Sequence, residues 1–225
     1  MFTGDAYSVR AIEYLTCGGF LVAFTFFWRF VWHDPVPAPV TARARAHQFG
    51  FFHVPEGVHV HSGHGWAKAD VNGVLTMGSD DFAQQLVGPV SGVVLPQVGD
   101  HLRQGRPAWG LDVDGAIVEM LSPVSGTVVQ VNQALEATPA AVNTDPYGDG
   151  WLVKLAPDAA DEELSSLMSG QAARRWIEQV SETLVGTMSP ELGALCQDGG
   201  HPVQGLARAI DERNWQAVTR RFLLS

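Results

Sequence analysis

Four histidines crowd one short segment, FFHVPEGVHVHSGHGW, at positions 53, 59, 61 and 64. Imidazole nitrogens are the commonest ligands for zinc and copper, and they also serve as general bases near neutral pH. His59 and His61, two residues apart, share one face of an extended strand, and His64 can reach round from the following turn. His59, His61 and His64 are therefore the candidate metal ligands, and His53 is the fourth member of a candidate catalytic cluster. No cysteine or carboxylate at ligand spacing completes the set, so no bound metal is expected.

Asp112, Asp114 and Glu119, in LDVDGAIVE, form the second candidate group. A calcium loop needs further oxygen ligands at fixed intervals and a closing bidentate glutamate, and Glu119 comes too early. Asp-Gly is a favourable hairpin turn instead. Carboxylates on an open hairpin lack the burial and pairing that tune an acid and a base, so no catalytic residue is expected there. Cys17 and Cys196 lie in dissimilar segments and give neither a disulfide framework nor a metal spacing.

The elements that would position these groups are β-rich. Residues 86–155 contain a repeat: Pro89-Val90-Ser91-Gly92-Val93-Val94 returns as Pro123-Val124-Ser125-Gly126-Thr127-Val128. Short β-branched runs between the copies are punctuated by Gly99, Gly105, Gly110 and Gly115, which predicts strands joined by tight turns. Such a duplication implies two half-sheets closing face to face, since neither buries its apolar side alone. Ahead of the repeat, Trp66–Val71 and Val74–Met77 predict a hairpin with a type I′ turn at Asn72-Gly73. SDDFAQQLVG predicts a helix capped by Ser79, with Asp80 and Asp81 at the positive end of its dipole. Phe82, Leu86 and Val87 then face the core.

These residues carry a resemblance. Trp66 in HGWAKAD, GSDDFAQQLVG (78–88), LPQVGD (95–100), SPVSG (122–126), VNQAL (131–135) and VNTDPYGDGWLVKL (142–155) resemble the H protein of the glycine cleavage system. More distantly they are similar to lipoyl and biotinyl carrier domains. The resemblance covers roughly residues 52–180 and implies a mainly β fold with helices, a barrel-sandwich hybrid. It also gives His64, just before Trp66, a framework role. In that family a lysine on the hairpin between the two halves carries lipoamide, which shuttles an aminomethyl group. Counting back from SPVSG puts Gly115 at that position, or Asp114 with a one-residue slip. Neither has an amine. The two lysines of the chain, Lys68 and Lys154, fall on other strands, so no lipoyl cofactor is expected.

Outside the barrel, residues 14–32 (YLTCGGFLVAFTFFWRFVW) hold a single charge, Arg29. Nineteen helical residues span about 28 Å, close to the hydrocarbon thickness of a bilayer. A transmembrane helix is expected over 14–32, with a signal peptide and a buried core helix as alternatives. Arg29, Arg43 and Arg45 after it, against Arg10 before it, place the barrel on the cytoplasmic side. Gly19 and Ala23, four apart, form a candidate helix-packing face.

The domain plan is therefore an N-terminal segment (1–33), a proline-rich linker (34–50), the barrel-sandwich domain with its edge helices (51–186) and a C-terminal helical extension (187–225). Within it, 158–188 predicts a helical stretch, Ser189-Pro190-Glu191 a short helix, and 203–223 a final amphipathic helix that docks on the barrel or a partner, or lies on the inner leaflet. The net charge of −10 argues against nucleic acid as a partner, since phosphate binding needs clustered Lys and Arg. Together these features predict a non-catalytic, membrane-anchored subunit of a respiratory or photosynthetic electron-transfer complex, with lipid and integral-membrane subunits as partners. Alternatives are an enzyme or metal-binding protein using the histidines, and a decoy or regulator of lipoyl-handling enzymes.

Overall fold

The computed structural model describes residues 14–16, 18–25, 27, 52–187 and 204–224. The chain divides into two compact units, 1–45 and 46–225. In the first, the described residues are helical and exposed. No helix among the described residues is long and apolar enough to cross a membrane. The expected span over 14–32 is corrected on that ground. Gly19 has open space around it and Ala23 is exposed, so no packing partner meets that face within the described residues. The orienting arginines, the proline-rich linker and the helix at Ser189-Pro190-Glu191 lie outside the described residues.

The second unit is mainly β with helices. Its strands are β1 (His59–Val60), β2 (Gly65–Ala69), β3 (Leu75–Ser79), β4 (Gly92–Val94), β5 (His101–Leu102), β6 (Pro107–Val113), β7 (Ala116–Leu121), β8 (Gly126–Val131), β9 (Val153–Pro157) and β10 (Met168–Ser169). They form a seven-stranded sheet, β10-β1-β2-β3-β9-β8-β5, and a three-stranded sheet, β4-β6-β7. The repeat explains this division. Its first copy supplies β4 of the small sheet and its second supplies β8 of the large one. Trp109, Leu111 and Val113 of β6 are buried in one core with Leu75, Met77, Val128, Val153 and Leu155 of the large sheet. Trp109 Nε1 also donates to Ser79 Oγ at 3.3 Å, tying the sheets together.

Gly126 is required where the copies diverge. A Cβ there would lie 2.3 Å from the carbonyl oxygen of Ala156, on the paired strand β9. Backbone cannot give way as a flexible side chain can, so only glycine lets the two strands pair that closely.

The two hairpin turns exchange expectations. At Asn72-Gly73 only Gly73 has positive φ, and Gly73 N–H donates to Asp70 O while Asp70 N–H donates to Val74 O. This is a three-residue loop with a type I turn and a G1 bulge, not type I′. The Asp70 carboxylate causes the change by accepting from the backbone of Asn72 and Val74. The type I′ geometry occurs at Asp114 (φ 53) and Gly115 (φ 81), joining β6 to β7.

Helices fill the flanks: α1 (Asp81–Val87), α2 (Ala141–Thr144), α3 (Ala160–Ser166), α4 (Gly170–Thr187), α5 (Leu206–Ile210) and α6 (Trp215–Leu223). Phe82, Leu86 and Val87 of α1 are buried as their spacing predicts. The cap is Asp80 rather than Ser79, accepting from Ala83 N–H at 2.8 Å. The stretch 158–188 is interrupted because Leu167 is extended and Met168–Ser169 pair with β1. The final helix likewise breaks at Asp211, whose carboxylate accepts from the backbone N–H groups of Arg213 and Asn214. Leu206, Phe222 and Leu223 are buried in the barrel's core cluster, so the extension packs on the barrel.

Candidate functional site: the hairpin tip and its C-terminal cover

At the tip of the β6–β7 hairpin, Asp112 Oδ1 accepts from Gly115 N–H at 2.8 Å, which locks the turn. Asp114 and Gly115 are exposed, and a Cβ on Gly115 would meet nothing within 4 Å. This position is geometrically suited to display a group outward. The side chain it displays is a carboxylate, already engaged: Arg208 of α5 donates from Nη1 to Asp114 Oδ2. The same guanidinium lies 4.7 Å from the ring centre of Trp215, at the start of α6. That stack and the ion pair hold the extension against the hairpin. Glu119 is exposed on β7 and lines a cavity with Arg220 of α6.

The histidines do not assemble into a set. His53 is exposed, its N–H donating to Asp81 Oδ2 and its carbonyl accepting from the Tyr147 hydroxyl. His59 is half-buried on β1 and its Nδ1 has no hydrogen-bond partner. His61 Nδ1 accepts from Gly63 N–H at 2.9 Å, and its pKa is lowered by burial and secondarily by His64. Among the described residues no group of three or more His, Cys, Asp or Glu is placed to hold a metal ion.

The framework role expected of His64 left its partners unnamed. It has positive φ (59°), is 1% exposed, and donates from Nδ1 to Asp80 Oδ2 at 2.8 Å. Its ring stacks on Phe82 at 4.3 Å and leans on Trp176 at 4.6 Å. Asp80 thus performs two tasks, capping α1 and fixing the imidazole. The available signal was Asp80 itself, a second carboxylate at a helix start where one suffices. The Tyr147 hydroxyl closes the neighbouring seam, accepting from Asp81 N–H and donating to His53 O. Burial, then the charges of Asp80 and Asp81, push its pKa well above 10.

The family pattern described as "Glycine cleavage H-protein" matches residues 58–180, which hold the barrel, the hairpin and the first turns of α4. The chain belongs to the glycine cleavage H-protein family. A probable glycine cleavage system H protein of Thermococcus gammatolerans is 37% identical over 59% of this chain and 98% of its own length. The glycine cleavage system H protein of Saccharophagus degradans is 42% identical over 44% of this chain and 76% of its own. A crystal structure of the H protein from Mycobacterium marinum aligns with a TM-score of 0.44 at 28% identity, covering 50% of this chain and 98% of that one.

These relatives overturn the expected function. The H-protein family stands in place of a respiratory or photosynthetic electron-transfer complex, and the partners it implies are those of glycine cleavage rather than lipid and integral-membrane subunits. With no membrane-crossing helix among the described residues, the single-pass inner-membrane location and the cytoplasmic-side placement are corrected too. Length and hydropathy are permissive, and they do not fix what an apolar helix packs against.

Proposed function

We propose that this chain is a non-enzymatic member of the H-protein family that engages proteins of the glycine cleavage system through its barrel surface, without carrying a lipoyl group. One observation carries the reading: the outward-facing tip of the β6–β7 hairpin is Asp114-Gly115. Lipoyl attachment forms an amide with a side-chain amine, and neither residue has one. Lys68 stands on β2 and Lys154 on β9, both in the large sheet, with Lys154 Nζ 4.9 Å from the Trp151 ring centre. The rest of the carrier framework spans nearly the full length of relatives named H proteins, which supports retention of the surface those proteins present. The Arg208–Asp114 pair adds a reason for the tip to serve recognition. It fixes a structured, charge-paired element where a mobile arm would otherwise stand.

The test has two arms. Full-length chain co-expressed with lipoylating enzymes should keep its unmodified intact mass, and an adduct of lipoyl mass on Lys68 or Lys154 would overturn the unlipoylated reading. Titrated against purified glycine cleavage enzymes, it should bind at micromolar concentration and compete with a lipoylated H protein. Absence of competition would overturn the shared surface.

A further inference from the structure

The turn between β2 and β3 holds the parts for a reaction of the chain with itself. Asn72 is exposed, and only its backbone N–H is engaged, donating to Asp70 Oδ1; its carboxamide makes no hydrogen bond among the described residues. The next residue, Gly73, is exposed too, and a Cβ there would meet nothing within 4 Å. Its amide nitrogen therefore stands in open space with no side chain to shield it. Its N–H donates to Asp70 O at 3.2 Å, the long end of the hydrogen-bond range. Glycine's wide backbone freedom lets this nitrogen swing toward the preceding side chain. The other asparagines lack this combination. Of the four in the chain, Asn132 donates from Nδ2 to the carbonyls of Asp149 and Trp151. Asn143 donates from Nδ2 to Gly88 O and accepts at Oδ1 from Val90 N–H, so both carboxamides are held. Asn214 has an unbonded, exposed side chain, but Trp215 follows it as the first residue of α6, where bulk and helical backbone oppose ring closure. The other type of turn with a following glycine, Asp114-Gly115, is protected: Gly115 N–H is bound by Asp112 Oδ1 at 2.8 Å, and Arg208 holds the Asp114 carboxylate.

We propose that Asn72 is a site of spontaneous covalent modification, deamidating through a succinimide to aspartate and isoaspartate. The Gly73 nitrogen attacks Asn72 Cγ and closes a five-membered ring. The Cγ–Nδ2 bond breaks, and the side-chain nitrogen leaves as ammonia with the proton that Gly73 gave up. Solvent water then opens the ring at either carbonyl. Opening at Cγ gives aspartate, and opening at the main-chain carbonyl gives isoaspartate, whose backbone runs through Cγ and is one methylene longer. Nothing is oxidised or reduced, and water is the only co-reactant. Either product places a second negative charge beside the Asp70 carboxylate. Isoaspartate also lengthens the span between the Asn72 and Val74 N–H groups, which now share Asp70 Oδ1, so the modified loop is clamped less tightly. The reaction concerns the isolated chain, so this proposal and the glycine cleavage reading can each fail without the other.

The test is peptide mapping by mass spectrometry of the full-length chain, held folded at mildly alkaline pH and sampled over time. The peptide holding Asn72 should gain the mass difference between an acid and an amide and separate into two chromatographic forms, with isoaspartate the larger. Asn132, Asn143 and Asn214 should convert at least about tenfold more slowly. Asn72→Gln must close a six-membered ring instead and should abolish the change at that position. Asp70→Ala removes two hydrogen bonds that hold the loop and should speed conversion of Asn72 about tenfold. An Asn72 that stays intact, another asparagine that converts as fast, isoaspartate appearing at Asp114 as fast as at Asn72, or an unchanged rate in Asp70→Ala would each overturn the assignment.

Discussion

Arg208 of the C-terminal extension donates to Asp114 at the hairpin tip, joining residues 94 positions apart. The pair occurs where the resemblance places the family's lipoyl lysine, so that expected position is the one that receives the extension. Arg208 is 36% exposed and Asp114 69%, so solvent screens the attraction.

Asp114→Asn is accordingly expected to cost about 0.5 kcal/mol, and less in high salt. Arg208→Ala removes the stack on Trp215 as well and should cost about 1–2 kcal/mol. Urea unfolding of both single variants and the double variant checks this. Limited proteolysis should cut faster between 188 and 214 in Arg208→Ala than in Asp114→Asn.

Asp80 is the larger liability. Asp80→Ala removes the cap of α1 and leaves a buried imidazole donor unpaired, a combined cost of about 2–4 kcal/mol. Asp80→Asn keeps an amide oxygen for the Ala83 N–H and should cost markedly less. Denaturant midpoints for the two variants test the order. Equal costs would show that the cap contributes nothing.

Glycine substitutions should separate backbone from side-chain crowding. A Cβ on Gly126 meets the Ala156 carbonyl at 2.3 Å, whereas one on Gly110 meets the Cγ2 methyl of half-exposed Ile117 at 2.5 Å. Gly126→Ala should lose about 3 kcal/mol or more, while Gly110→Ala should lose less, about 1–2 kcal/mol, because Ile117 can change its χ1 rotamer where a backbone carbonyl cannot move. Thermal denaturation of each variant measures the difference.

Acid should weaken the fold through His61. Its pKa is lowered in the folded chain, by burial first and by His64 second, so the unfolded chain takes up a proton that the folded chain resists. The His61 contribution is present above its unfolded value, near 6.5, and is lost as pH falls through the folded value. Unfolding free energy should therefore decline below about pH 6.5. His61→Asn offers an amide oxygen in place of Nδ1 to the Gly63 N–H and should flatten that slope. An unchanged slope would assign the acid sensitivity elsewhere.

The sequence by itself determined the strands of the two half-sheets. A duplicated strand unit with glycine stops can bury its apolar faces in few ways, so period and punctuation were enough to place β4 and β8 and the hairpin between them. That Asp114 and Gly115 lack an amine is a covalent fact needing no fold. Tertiary structure alone decided what meets what. Asp80 displaced Ser79 as the helix cap because His64, sixteen residues earlier, holds the same carboxylate. Asn72 gave up type I′ geometry because the Asp70 carboxylate captured two backbone donors. Arg208 and Asp114 have no local pattern linking them, since a pair this distant depends on how two helices settle against a sheet edge.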